Sequence, residues 1–227
     1  INVVIAYNMR MLDYLFLVPI GDGIPGNILP NYLRLQTWCD KNNSQILTCH
    51  KLFLNFARNY LATQGGGFTN PQTPKAKWVI WIDSDVTFNI DQIEDLVSVP
   101  DQYKFCSGWY RSALDDHAMC GKWDVDYFEK HKHMPFFSVN ELTKIGKEKP
   151  ESLVEADFTG FGFTKLHTSI LEEMTYPYFT LNVVHLGKYT DMSFEDVSFC
   201  QNCERETGIK PFIVPRIRVG HYKSFFV

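Results

Sequence analysis

The stretch WVIWIDSD, residues 78–85, decides the fold of this chain. Its first five residues are apolar without alternation, which indicates a strand covered on both faces, as in the centre of a parallel sheet. Two carboxylates, Asp83 and Asp85, follow at once. Ligands of open α/β sheets bind outside the carboxyl ends of the strands. We therefore expect both aspartates to face a ligand.

Predicted strands and helices alternate on both sides of this stretch through the first 110 residues. This pattern is typical of βαβ units and a mainly parallel sheet covered by helices. Without repeats or a linker, we expect one α/β domain over residues 1–227. The expected strands are 2–7, 45–49, 78–82, 103–108 and 154–158, with an extended end over 211–220. The expected helices are 31–41, 52–64, 89–97, one beginning near Ser169 with Glu172 in a capping box, and one from Ser193 to Gly208. Residues 111–152 are expected to be irregular.

Composition narrows the function classes. The chain has 227 residues and a net charge of −4, whereas general nucleic-acid binders carry an excess of Lys and Arg. No apolar run approaches the ~18 residues of a membrane span, so we expect no integral membrane segment. Six scattered cysteines favour small buried hydrophobes in a reducing compartment, and hence a cytoplasmic location. Because the chain begins at Ile1, we expect it to be part of a longer multidomain protein.

The two aspartates indicate a metal site. Residues i and i+2 of a strand point to the same side, so Asp83 and Asp85 can converge on one cation. Two adjacent carboxylates repel each other unless a cation joins them. Mg²⁺ and Mn²⁺ suit oxygen ligands and bridge to phosphates. The alternative is a strand end whose acids meet solvent and cap the next helix, but Asn89 can supply that cap.

An Asp-x-Asp pair after a strand fits two enzyme classes. One is the haloacid-dehalogenase-like phosphatases, whose motif Asp83-Ser84-Asp85-Val86-Thr87 matches and whose first Asp would accept a phosphoryl group. That motif normally lies on the first strand, and here two strands are expected before it. The other class is the metal-dependent glycosyltransferases. A non-catalytic carbohydrate-binding module is a third possibility.

Four further motifs, in the correct order over residues 50 to 223, favour the second class. They are the Ala57-Arg58-Asn59 helix, the turn Gly160-Phe161-Gly162, the helix start Glu195-Asp196 and the late Val219-Gly220-His221. Together with Asp-x-Asp they resemble the nucleotide-sugar glycosyltransferases of the GT-A fold. The length of the chain and its Gly-Phe-Gly turn most resemble those of the compact glycosyltransferases of large algal viruses and phages.

The resemblance implies a role for each site residue. Mn²⁺ or Mg²⁺ would lie on Asp83, Asp85 and His221. Asp196 would be the general base, beside Glu195, although Ser193-x-x-Asp196 also resembles a capping box. Asp157 is an alternative base whose other task would be to bind hydroxyls of the donor sugar. The residues expected to bind the nucleotide sugar are Ala6, Tyr7, Asn8, Arg10, Arg58, Asp83, Ser84, Gly160 and Gly162.

The resemblance also implies the substrates. The donor would be a nucleoside-diphosphate sugar, with UDP favoured, and hexosyl or deoxyhexosyl transfer would go to a hydroxyl of a glycan or glycoprotein. Residues 1–108 would bind the nucleotide and residues 109–227 the acceptor, with Trp109, Tyr110 and Trp123 available for stacking on sugars. For a viral protein, the location would be the host cytoplasm.

Overall fold

The structure, a computed structural model, describes residues 11–50, 53–66, 71–112 and 116–222. The strand predicted over residues 2–7 lies outside these ranges. The described strands are β1 Leu12–Ile20, β2 Ser44–His50, β3 Ala76–Ile82, β4 Val86–Thr87, β5 Phe105–Trp109, β6 His117–Gly121, β7 Phe136–Ser138, β8 Val154–Glu155, β9 Phe158–Thr159, β10 Phe163–His167, β11 Val183–Leu186, β12 Tyr189–Met192, β13 Phe212–Arg218 and β14 Gly220–His221. The described helices are α1 Leu29–Lys41, α2 Leu54–Ala62, α3 Ile90–Ser98, α4 Val125–His131, α5 Val139–Glu148, α6 Ser169–Glu173 and α7 Glu195–Thr207.

A seven-stranded sheet, in the order β2-β1-β3-β10-β5-β13-β8, organises the described chain. β1 is parallel to β2 and β3, and β5 is parallel to β13. β10 and β8 run against their neighbours, so five of the seven strands share one direction. This mixed, mostly parallel α/β sheet in a single domain confirms the predicted fold class.

The central position of β3 explains its composition. Val79 and Trp81 belong to the core on one face of the sheet, and Ile80 and Ile82 belong to the core on the other. Residues of α2, α6 and α7 pack into the first core, and residues of α1 and α3 pack into the second. Because both faces are covered from Trp78 to Ile82, a polar residue in that part of β3 would be buried without solvent, whereas Lys77 near the start of the strand is exposed.

The sequence did not reveal β10, which lies between β3 and β5. Its polar centre, Thr164 and Lys165, hides the strand pattern, yet both side chains are fully buried. Lys165 Nζ donates to the carbonyl of Val99 at 2.9 Å and lies 4.3 Å from the centroid of the Trp78 ring. Carbonyl oxygens at the end of a helix and an aromatic face thus stabilise the buried ammonium.

The expectation of irregular structure over residues 111–152 is wrong for its described part. β6 pairs with β7 and β9 in a separate three-stranded sheet, and the same stretch contains helices α4 and α5. Val139 and Leu142 form the buried face of α5. The helix was missed because polar residues surround this narrow apolar stripe.

Helix ends show where local sequence is informative. Asn89 and Gln92 form the predicted capping box of α3, with Gln92 N donating to Asn89 Oδ1 at 2.9 Å. α7 ends at Gly208, whose φ is +72°. The two other capping boxes are not formed. Ser169 is the first residue of α6 rather than its cap, and the Ser193 hydroxyl contacts Ser198 Oγ at 2.7 Å.

Two composition-based predictions can be compared with the described chain. All six cysteines are buried and free, as expected for small hydrophobes. Among the described residues, no helix is both long and apolar enough to cross a bilayer.

Candidate functional site

A cleft of about 660 Å³ opens at the carboxyl ends of β1 and β3. The first residues of α2 and α7 and the three-stranded sheet enclose it. The structure therefore brings most of the predicted site to one place. The polar side chains lining the cleft are Arg58, Asp83, Ser84, Asp85, Tyr110, Glu195, Asp196 and His221.

The two aspartates after β3 point to different partners. The chain leaves the strand at Ile82 and turns, with Val86 N donating to Asp83 O at 3.0 Å. The expected same-side placement of residues i and i+2 does not apply, because both aspartates lie in this turn. Asp83 contacts Arg58, whereas Asp85 contacts His221.

Arg58 of α2 is the buried cation of the site and is 1% exposed. Its Nη2 lies 2.9 and 3.1 Å from the two carboxylate oxygens of Asp83, and its Nε donates to Glu195 Oε1 at 3.3 Å. The guanidinium carbon is 5.5 Å from the ring centroids of Trp81 and Phe161. Nη1 is buried without a hydrogen-bond partner. Burial opposes the charge of Arg58, but the carboxylates of Asp83 and Glu195 outweigh it and raise the pKa.

Two acidic side chains near Arg58, those of Asp83 and Asp196, have pKa values above the ordinary value of an aspartate. Burial raises the pKa of Asp83, and Arg58 only partly offsets this effect. Burial, followed by the charge of Glu195, raises the pKa of Asp196 to about 7. Asp196 Oδ1 accepts a hydrogen bond from the backbone of Val197 at 2.7 Å. Asp196 is thus poised to exchange a proton near neutral pH.

The late histidine reaches the aspartates through a short strand pair. β14 pairs antiparallel with β4, with Gly220 opposite Thr87 and His221 opposite Val86. This pairing places His221 Nε2 at 3.0 Å from Asp85 Oδ2. The Tyr110 ring packs on the imidazole, with centroids 4.9 Å apart.

The three predicted metal ligands do not form one ligand set. Among the described ranges, no group of three or more His, Cys, Asp and Glu side chains is arranged to hold a metal ion. Arg58 Nη2 contacts both oxygens of Asp83, and the metal role of Asp83 stays a prediction. The pair of Asp85 and His221 is the part of the predicted set that the structure brings into contact.

The Tyr110 ring explains why positions 160 and 162 are glycines. A Cβ at Gly162 would lie 2.8 Å from Tyr110 Cε1, and a Cβ at Gly160 would collide with the Tyr110 hydroxyl. Gly160 lines the cleft, and the carbonyl of Gly162 accepts from Asp83 N at 3.1 Å. The turn thus supports Tyr110 and Asp83.

Asp157 is not among the residues that line the cleft. Its Oδ2 accepts the backbone N–H of Trp123 at 2.9 Å, and Lys210 Nζ lies 2.9 Å from its Oδ1. Burial acts against its charge, but these hydrogen bonds prevail and lower its pKa. Trp109 also faces away from the cleft, since its indole N–H donates to Pro215 O in the core at 2.9 Å.

The end of β1 lines the cleft, although it is not among the site residues predicted from the sequence. Pro19, Ile20 and Gly21 line the cleft beside the turn after β3. The available signal was the nine-residue strand LDYLFLVPI followed by Gly21. The predicted nucleotide-binding residues Ala6, Tyr7, Asn8 and Arg10 lie outside the described residues.

Comparisons with known proteins bear on the fold. No protein-family model matches the chain, and no curated protein matches it. Among solved structures, A197 from STIV is similar at a TM-score of 0.57 and 14% identity, covering 94% of this chain and 87% of that one. GalNAc-T7, solved with UDP, GalNAc and Mn²⁺, is similar at a TM-score of 0.54 and 13% identity, covering 94% of this chain but 44% of that one. A glycosyltransferase involved in glycosylation of the PBCV-1 major capsid has 14% identity and a TM-score of 0.37, covering 92% and 81%. The GT-A fold implied by the sequence resemblance is confirmed.

Proposed function

We propose that the protein is a metal-dependent glycosyltransferase. It moves a sugar from a nucleoside-diphosphate sugar, UDP-linked, to a hydroxyl of a glycan or glycoprotein. The observation that carries the proposal is the Asp85–His221 pair in the same cleft as the Arg58, Asp83, Glu195 and Asp196 cluster. A fold shared with GalNAc-T7, whose structure contains UDP and Mn²⁺, supports it.

The residues present fit a divalent cation. Asp85 and His221 offer a carboxylate oxygen and an imidazole nitrogen, both partly exposed in the cleft. This mixed pair suits Mn²⁺ better than Mg²⁺, and diphosphate oxygens and waters can complete the coordination. When bound, the ion would act as a Lewis acid on the leaving diphosphate. Asp83, whose two oxygens contact Arg58 Nη2, would support the ion through water.

The transfer itself requires a base. The acceptor oxygen forms a bond to the anomeric carbon, the bond from that carbon to the diphosphate oxygen breaks, and the hydroxyl proton leaves. Asp196 takes this proton, because Glu195 is engaged by Arg58 whereas the Asp196 carboxylate receives a backbone hydrogen bond only at Oδ1. A pKa near neutrality suits this role.

We assign several cleft residues to the nucleotide-sugar donor. Asp83 and Ser84 line the cleft, and we assign to them hydrogen bonds with ribose and sugar hydroxyls. Gly160 borders the same space. Pro19, Ile20 and Gly21 line the same cleft, and we assign to them contacts with the base of the nucleotide. The nucleotide-binding role of Ala6, Tyr7, Asn8 and Arg10 stays a prediction.

The phosphatase alternative has no comparable support. Both oxygens of Asp83 lie within 3.1 Å of the positively charged Arg58 Nη2, and this contact would weaken an aspartate nucleophile. β3 also follows two described strands of the same sheet, whereas the phosphatase motif normally lies on the first strand.

Calorimetric titration of UDP, GDP and ADP, each with and without Mn²⁺, tests the proposal. We expect Mn²⁺-dependent binding of UDP, and Asp85→Ala should abolish the metal dependence. Glu94→Ala, which removes an exposed carboxylate on α3, should leave binding unchanged. Absence of nucleotide binding with metal, or full activity in Asp85→Ala, would contradict the proposal.

A further inference from the structure

The part of the cleft lining that residues 117–158 contribute is apolar. Residues 117–158 contribute Met119, Trp123, Met134, Phe136 and Phe158 to the lining, a set that we call the apolar wall. Apart from the indole N–H of Trp123, these side chains offer no conventional hydrogen-bonding group. Every side chain that this segment places in the cleft is therefore suited to an apolar surface.

The wall is held in place by specific contacts. The Phe136 and Phe158 rings meet edge to face with centroids 5.3 Å apart. Gly121 allows the end of β6 to approach the backbone of Pro135 closely, because a Cβ at position 121 would lie 2.5 Å from Pro135 O. The backbone N–H of Trp123 is fixed by Asp157, which Lys210 holds in turn. Asp157 thus acts on the wall, as a positioning residue.

We infer that the acceptor carries an alkyl or aryl group beside the hydroxyl that is attacked, and that the apolar wall binds this group. The inference rests on the proposed function. Trp123 can stack on the C–H face of a sugar, but sugar hydroxyls pressed against the remaining apolar side chains of the wall would lose their bonds to water without replacing them, which is unfavourable. An apolar substituent loses no such bonds and gains from burial.

The position of the wall fits this occupant. It shares one cleft with Asp196, and the proposed function assigns the donor to Asp83, Ser84 and Gly160 in that cleft, so a group seated on the wall would belong to the acceptor. Phe194, directly before Glu195 and Asp196, also lines the cleft and is 75% exposed. It extends the apolar surface to the side of the cleft that holds the base.

Ligand-observed NMR titration of methyl, butyl and hexyl β-D-glucopyranoside, below micellar concentrations and with UDP and Mn²⁺ present, tests the inference. We expect affinity to rise at least tenfold from methyl to hexyl, since each fully buried CH₂ contributes up to about fourfold. Equal affinities across the series would overturn the inference, and this wild-type comparison requires no variant.

Variants test whether the apolar wall causes the rise in affinity with alkyl chain length. Trp123→Ala should remove most of the gain from chain length, whereas Leu33→Ala, at an exposed apolar position on α1, should keep it. Asp157→Ala should reduce the gain and Asp157→Asn should restore it, because Asn retains an oxygen for Trp123 N–H. A gain that is unchanged in Trp123→Ala would remove the wall from the explanation.

The glycosyltransferase proposal and the acceptor inference are contradicted by different results. Titration of UDP on the same samples reports the proposed function. UDP binding with a flat glycoside series would overturn only the acceptor inference. A steep series without Mn²⁺-dependent UDP binding would overturn the glycosyltransferase while leaving an apolar ligand site.

Discussion

Asp196 illustrates how one side chain's role depends on its surroundings. In the sequence it could equally be part of a capping box, because it lies three residues after Ser193. In the structure Ser193 bonds to Ser198, so the box is absent. Burial and the neighbouring Glu195 instead raise the pKa of Asp196 into the range in which a base is useful.

The pH dependence of the reaction should follow this carboxylate. Asp196 accepts a proton only when ionised, so kcat/KM should rise with pH through about 7 and level off above it. Asp196→Asn should lower kcat by about 10²- to 10⁴-fold and remove this limb. Steady-state rates between pH 5.5 and 8.5 measure both effects.

Asp191→Asn, at an exposed aspartate on β12, serves as the control and should retain the wild-type profile. Wild-type rates in Asp196→Asn would show that another group takes the proton.

At the scale of elements, the pair β4–β14 delivers His221 to Asp85. Each strand has two residues, so small changes in their approach move the imidazole. Gly220 is essential to this approach, because a Cβ there would collide with Thr87 Oγ1. The motif Val219-Gly220-His221 therefore combines a functional side chain with the glycine that lets its strand pair.

Gly220→Ala should push β14 away from β4 and weaken Mn²⁺-dependent UDP binding by about 10- to 100-fold, the range found when support of a metal ligand is lost. Adding Thr87→Ala should restore much of the affinity by removing the colliding hydroxyl. Calorimetry of the single and double variants measures this.

Gly26→Ala is the matched control, because no heavy atom lies within 4 Å of its added Cβ. Failure of Thr87→Ala to rescue Gly220→Ala would show that the collision is not the cause.

For the whole molecule, Arg58 joins three distant parts of the chain. Its partners lie 25 and 137 residues away, at the end of β3 and the start of α7. The guanidinium is enclosed by aromatic rings of the core. Removing one partner of a buried ion pair leaves an uncompensated charge, which is far more costly than loss of a surface pair.

Arg58→Met should lower the free energy of unfolding by about 3–5 kcal/mol at neutral pH. Without Arg58, the folded-state pKa of Asp83 rises further above its unfolded value. Stability from such a group is fully present below the unfolded pKa and is lost as pH rises through the folded pKa. The deficit should therefore be larger at pH 8 than at pH 5, as measured by urea denaturation.

Arg34→Met, at an exposed arginine on α1, should change stability little at either pH. A deficit for Arg58→Met that is independent of pH would indicate lost packing rather than unpaired carboxylates.

The sequence by itself determined the features that depend on short stretches. A continuous apolar run predicted β3 at the centre of the sheet, Asn89 with Gln92 predicted the start of α3, and Gly208 predicted the end of α7. Burial on both faces, capping and a left-handed turn each depend on a few neighbouring residues, so they are visible without the fold. The predicted nucleotide-binding residues before Met11 and the cytoplasmic location stay predictions.

Only the tertiary structure decided which partners those residues meet. His221 reaches Asp85 across 136 residues, Arg58 contacts both oxygens of Asp83, and Lys210 and Trp123 hold Asp157 outside the cleft lining. The sequence did not predict β10, because its buried Lys165 is stabilised by the Val99 carbonyl and the Trp78 ring, which only the fold brings to it. The physical reason is competition: a charged side chain contacts whichever opposite charge or dipole the packing brings within about 3 Å, and strand order rather than local sequence determines this partner.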